Sequence, residues 1–195
     1  MTDPLSAFAP TLAGPPRLEP TDVSYVLDDT PVGRMLFAVR DDGRVLTTAY
    51  VADPADEERW LQRISDTVSP RVLRHPAPTD AVRRALEAYL AGSARSVDVT
   101  VDLALTGPFQ REVLTTLREQ VGYGERTTYG ELAVASGHPS ASRAVGTALG
   151  ANPLCVTVPC HRVLPASGGL GGYAGGPRAK EWLLVLEARH QSVSE

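Results

Sequence analysis

Leu154-Cys155-Val156-Thr157-Val158-Pro159-Cys160-His161-Arg162-Val163 sets a cysteine beside a histidine, behind a proline. The first five residues are apolar and rich in β-branched side chains, which predicts a buried strand. Pro159 has a fixed φ and no N–H for a ladder, so the strand should end there and present Cys160 at its tip. Such a thiol can be a small buried hydrophobe. It can equally be a nucleophile with a base at hand, and the flanking chain decides between the two.

Downstream, residues 168–176 hold six glycines around Tyr173. No Gly-Lys-Ser/Thr follows and no dinucleotide fingerprint fits, so the segment is either a linker or a lid carrying one aromatic over a planar ligand. Arg178–Arg189 predicts a helix, apolar on every side from Trp182 to Leu186. Glu187 follows directly, and a carboxylate at the end of a buried helix needs a partner. Upstream, Asn152 precedes a proline and is held extended, leaving its side chain to bond across a turn. Phe109, Val113, Leu117 and Val121 form a helical stripe. Thr128 and Glu131 are spaced as a capping box. A further helix over Ala141–Leu149, capped by Ser140, should turn Ala141, Ala144, Val145 and Ala148 inward and Arg143 and Thr147 outward. Two short helices across Gly137-His138-Pro139 describe a helix-turn-helix, or simply a helical hairpin.

The first half has a different texture. Val23–Leu27, Arg34–Arg40 and Arg44–Val51 predict an antiparallel meander with a turn at Asp41-Asp42-Gly43. Asp53–Ser65 and Thr79–Leu90 predict helices, the second capped by Thr79-Asp80 and stopped by Gly92. Val97–Leu105 alternates like a strand. The unit, residues 21–105, carries no catalytic constellation and reads as support. Thr106-Gly107-Pro108 marks the boundary to a mostly helical unit, 106–195, and residues 1–20, with five prolines, predict a flexible tail.

The 195 residues carry a net charge of −4, yet none of the 23 acids lies between Leu132 and Lys180. A surface built from that window would tolerate a polyanion. No membrane span or signal peptide is readable, so the expected location is the cytoplasm. The two cysteines, Cys155 and Cys160, are poorly spaced for a mutual disulfide, and with four scattered histidines they supply no metal-site spacing. No cofactor is expected.

Pro159-Cys160-His161-Arg162, Tyr129-Gly130-Glu131-Leu132, Arg143, Asn152-Pro153, Gly172-Tyr173-Ala174-Gly175-Gly176 and Lys180-Glu181-Trp182-Leu183-Leu184 together resemble the O6-alkylguanine-DNA alkyltransferases, across roughly 106–189. Thr30-Pro31-Val32-Gly33 resembles the start of that family's N-terminal domain. The resemblance implies an α+β fold: a small ribonuclease-H-like α/β domain followed by a helical domain whose helix-turn-helix is winged-helix-like. It implies a DNA repair protein that moves the alkyl group of O6-alkylguanine, and in some members O4-alkylthymine, onto its own cysteine, once, after base flipping. The partner is double-stranded DNA, met by a monomer.

Carried over by residue, Cys160 is the acceptor, His161 its base through a water, Glu187 the orienting and charge-balancing group, and Asn152 the brace of the turn. Tyr173, Ala174, Val158 and Cys155 would form the substrate pocket. Tyr129, Arg143, Ala141, Ser142, Thr147 and Arg162 would meet DNA, with Arg143 filling the gap left by the flipped base. Ala174 replaces a serine found in some members, and Cys155 replaces a common proline. No cysteine precedes residue 155, so the zinc site of some members has no ligands here. Alkyltransferase-like proteins, which bind damage without repairing it, lack the acceptor; Cys160 separates this chain from them.

Overall fold

The structure is a computed structural model that describes residues 21–191, with side chains to residue 189. The expected tail, 1–20, lies outside the described residues. Strand β1 (Val23–Thr30) pairs antiparallel with β2 (Gly33–Arg40), and β2 with β3 (Val45–Tyr50). The β2–β3 turn falls at the predicted place: Gly43 adopts φ 82° and donates to Arg40 O at 3.0 Å. That positive φ is open to glycine without a steric cost.

Helix α1 (Pro54–Thr67) starts on Asp53, whose side chain accepts from Asp56 N, and leads to a short β4 (Val72–Arg74) parallel to β1. The sequence offered no sign of β4, because three residues are too few to show periodicity. The sheet order is β3-β2-β1-β4. Helix α2 (Asp80–Leu90) follows a 3-10 turn at Ala77–Thr79. Thr79 does not cap it as expected; its hydroxyl donates to Pro76 O at 2.6 Å.

β2 is buried on both faces, and its side chains alternate between two cores. Leu36 and Ala38 join Leu46, Ile64 and Leu105 beneath α1. Met35, Phe37 and Val39 join Val82, Leu86 and Tyr89 of α2, and the same cluster runs on through Val113, Leu114, Leu117, Cys155 and Cys160. One core therefore spans the two halves of the chain. Val97–Leu105 is not the expected strand: only Val45↔Val101 bridges, through Val45 N to Thr100 O and Asp102 N to Val45 O.

Beyond Gly107, α3 (Pro108–Gln120) buries Val113 and Leu117, as its stripe predicts, and Leu114 beside them, while Phe109 is half-buried. β5 (Thr127–Thr128) runs into α4 (Tyr129–Ala135), whose capping box is formed on both sides by Thr128 and Glu131. Helix α5 (Ser142–Gly150) packs on α3 and α4. Ser140 is not its cap and Ala144 is exposed; Val145, Ala148 and Leu149 form the inward face. β6 (Val163–Leu164) pairs parallel with β5, Thr127 opposite Val163, which fixes the start of α4 against the chain leaving Cys160. Helix α6 (Gly176–Gln191) is one-sided and not buried all round: Leu183 and Glu187 face in, while Trp182 and Val185 are exposed. Among the described residues no helix is long and apolar enough to cross a membrane.

Candidate active site

The predicted strand Leu154–Val158 is a buried turn. Val156 has φ 69°, Cys155 bridges Val158, and Val158 N donates to Leu154 O at 2.7 Å. An apolar run can fold this way only if its polar backbone finds other partners. They come from β3: Thr48 N and Thr47 Oγ1 donate to Pro153 O at 2.9 and 2.6 Å, and Thr48 Oγ1 donates to Cys155 O at 2.8 Å. A positive φ at a β-branched residue is strained, and this packing holds it. Pro159, at φ −80° and ψ 57°, closes an inverse γ-turn in which Cys160 N donates to Val158 O at 2.8 Å; a 3-10 turn, Cys160–Arg162, follows.

Asn152, 1% exposed, braces that turn. Its Oδ1 accepts from Leu154 N at 2.9 Å, and its Nδ2 donates to Val158 O and to Cys160 Sγ, each at 3.2 Å. Cys155 Sγ donates to Asn152 O at 3.5 Å. A hydrogen bond with the Cys155 thiol, then the Asn152 amide and the charge of Lys180, hold the Cys160 thiol below its ordinary value despite burial. The Cys155 thiol, sharing that contact and fully buried, is pushed well above its own. Cys160 is thus the thiol that ionises.

His161 and Glu187 are completely buried. His161 Nε2 stands 2.7 Å from Glu187 Oε1, while its Nδ1 is buried with no protein partner. Glu187 Oε1 also accepts from Tyr89 Oη at 2.5 Å and Arg162 Nε at 3.0 Å; Oε2 accepts from Gly124 N at 3.0 Å and Arg126 Nη1 at 3.1 Å. Burial alone would raise the Glu187 pKa, but the His161 hydrogen bond, the Arg162 charge and the Tyr89 hydroxyl hold it at about 2. Burial lowers that of His161, against a smaller upward pull from Glu187. The imidazole is therefore a neutral base, and two guanidiniums balance the carboxylate in place of the histidine.

A cavity of about 220 Å³ opens above Cys160, lined by Tyr129, Gly146, Leu149, Tyr173 and Ala174 among others. Tyr129 packs over Gly146, where a Cβ would lie 3.7 Å from its ring. Ser142, Arg143 and Thr147 lie exposed on α5, with Ala141 half-buried at its start. A larger hollow of about 520 Å³ beside β1 and α2 has no cysteine or histidine in its wall; its Arg83 is paired with Asp28 and Asp80.

Three expectations change. Arg162 does not face outward: it is 6% exposed, bound to Glu187, and donates from Nη1 to Val121 O at 2.7 Å. Val158 lines a different cavity with Leu103, Leu114 and Arg118, because the tight turn points it away from Cys160. Cys155 is not in the cavity wall either; it sits beneath Cys160, wholly buried. The sequence also gave no role to Tyr89, Arg126 or Tyr50; Tyr89 and Tyr50 reach the site from elements read as support, and Arg126 from the loop before β5. The need of buried Glu187 for several donors was the one signal pointing at the first two.

Residues 108–189 match the family described as 6-O-methylguanine DNA methyltransferase, DNA binding domain. The methylated-DNA--protein-cysteine methyltransferase of Mycolicibacterium paratuberculosis is 41% identical over 172 residues, 88% of this chain and 96% of that protein. Its namesake in Methanosarcina acetivorans is 53% identical over 166 residues, 84% and 97% of the two. The crystal structure of Mycobacterium tuberculosis OGT in complex with DNA superposes with a TM-score of 0.72 at 33% identity, covering 86% of this chain and 94% of that one. At these identities over most of both chains, and on that shared fold, the chain belongs to the methylated-DNA--protein-cysteine methyltransferases.

Proposed function

We propose that this protein repairs DNA by taking the alkyl group of O6-alkylguanine onto Cys160 Sγ, once per molecule. The observation that carries this is the pairing of Cys160, its thiol bonded by Asn152 and biased toward ionisation, with a neutral His161 whose Nδ1 is unclaimed. His161 Nδ1 takes the thiol proton through a bridging water. The thiolate then attacks the alkyl carbon in line: the S–C bond forms, the C–O6 bond breaks with its electron pair going to guanine, and the proton passes to the leaving base. A thioether has no route back to the thiol.

Because the reacting carbon is inside the duplex stack, the guanine is extruded into the cavity between Tyr173, Ala174 and Tyr129, where Tyr173 donates to it. Arg143 fills the hole it leaves. In this reading α4 and α5 are a winged-helix-like helix-turn-helix, with Tyr129, Ala141, Ser142 and Thr147 against the phosphates. Residues 21–105 are a ribonuclease-H-like domain and 106–195 the alkyltransferase domain. The acid-free window supports DNA as the partner, and the protein acts as a cytoplasmic monomer.

The test is the intact mass of the protein after incubation with duplex DNA carrying O6-methylguanine. One added methyl is expected, absent in Cys160→Ala and kept in Cys155→Ala. Several turnovers per molecule, or a label on Cys155, would sink the proposal.

A further inference from the structure

We propose that Tyr50, the last residue of β3 in the N-terminal half, is a positioning residue for alkyl transfer: it holds Tyr173 and the glycine-rich segment over Cys160. The Tyr50 hydroxyl lies 3.4 Å from that of Tyr173, and the two rings meet edge to face at 5.6 Å and 73°. Tyr50 is not part of the cavity wall, whereas Tyr173 is, so it acts through Tyr173.

A second contact fixes the loop itself. A Cβ added to Gly175 would fall 2.7 Å from both Cε1 and Cε2 of Tyr50, so the ring is pressed flat on the backbone two residues beyond Tyr173. Gly175 is neither helical nor at positive φ; the close approach of Tyr50 is what demands a glycine there. From the other side, Tyr50 lies against Gly33, where a Cβ would sit 3.6 Å from Cδ1, and its register opposite Met35 ties it to the sheet. The glycine-rich segment is thus pinned to the sheet through Tyr50.

Either hydroxyl of the pair can donate, and burial pushes both phenols up, so both keep their protons. When Tyr50 donates to the Tyr173 oxygen, the Tyr173 proton is left to point into the cavity, and a phenol that accepts one hydrogen bond donates the next more strongly. Two rigid aromatics thereby set the donor that meets the leaving guanine, a placement that is worth rate and not affinity if the bond tightens as the base departs.

The inference rests on the proposed roles of Cys160 and Tyr173, and the experiment separates the two. Single-turnover methyl transfer from duplex DNA is followed with excess protein for wild type, Tyr50→Phe, Tyr173→Phe and the double variant, with Gly175→Ala as a steric probe. Tyr50→Phe should lower the maximal rate about fivefold, the size of one neutral hydrogen bond, and leave the half-saturating protein concentration within about twofold. In the Tyr173→Phe background the same change should cost nothing further. Gly175→Ala should slow transfer at least as much, by driving the loop from Tyr50. A Tyr50→Phe protein as fast as wild type, an equal loss in both backgrounds, or a fast Gly175→Ala protein overturns the role of Tyr50. Wild-type protein that gains no alkyl group on Cys160 overturns the function instead.

Discussion

His161 Nε2 is 2.7 Å from Glu187 Oε1, and Glu187 is also held by two guanidiniums and the Tyr89 hydroxyl, which reaches across from α2. With Nε2–H directed at the carboxylate, Nδ1 carries the lone pair, an assignment that follows from the network. Burial first, and then the guanidinium charges around the ring, make a lasting imidazolium costly. His161 is built to pass a proton on and not to keep it.

That arrangement sets a pH profile. The folded-state pKa of His161 lies below its usual 6.5, so the base stays neutral through that value and the acid limb of the transfer rate falls below it. Rates measured with a free benzylated guanine across the acidic range should show an acid limb whose midpoint lies below pH 6.5. His161→Gln should remove the limb along with most of the rate.

Glu187 contributes to stability in a defined window. Its folded pKa, about 2, is depressed from 4.5, so its contribution is full above pH 4.5 and is lost as pH falls toward 2. That shift corresponds to about 3 kcal/mol. Denaturant titrations should show Glu187→Gln destabilised by about 2–4 kcal/mol at neutral pH, as guanidiniums lose their counter-charge, and the difference should shrink in acid.

Asn152→Ala strips partners from Leu154 N, Val158 O and the Cys160 thiol at once. With every group buried, a loss of roughly 2–3 kcal/mol is expected in chemical denaturation. Reaction of Cys160 with iodoacetamide should move to higher pH. Cys155→Ala should shift it the same way with a smaller loss of stability, since the Cys155 thiol is the largest influence holding Cys160 down.

Arg143 is exposed on α5, away from the Cys160 chemistry. Arg143→Ala should weaken repair of duplex DNA at least about tenfold, a loss of the size of base-extrusion costs. Transfer from a free benzylated guanine should be unchanged, and equal losses in both assays would assign Arg143 elsewhere.

What could be read in advance follows from how local each cause is. The Thr128–Glu131 capping box, the Val113–Leu117 stripe and the Gly43 turn are decided within four residues, and each forms as expected. Leu154–Val158 misled because its backbone partners, Thr47 and Thr48, are more than a hundred residues away. The family resemblance puts Arg162 against DNA, but its partner Glu187 is 25 residues on and turns it inward. Tyr89 shares the buried apolar face of α2 with Val82 and Leu86, and only its hydroxyl, aimed at the site, sets it apart.

Lys180 is the only lysine in the chain, and it is fully buried, its Nζ bonded to Val163 O at 2.7 Å. Every other cationic side chain that could meet a phosphate, histidine aside, is therefore an arginine, with a flat fork of donors suited to two oxygens at once. The same fact hides the protein from lysine-directed chemistry. An acyl donor, a succinimidyl dye or a tagging enzyme would reach its sole lysine only after α6 had lifted from the core, so modification of that amine would report opening of the fold.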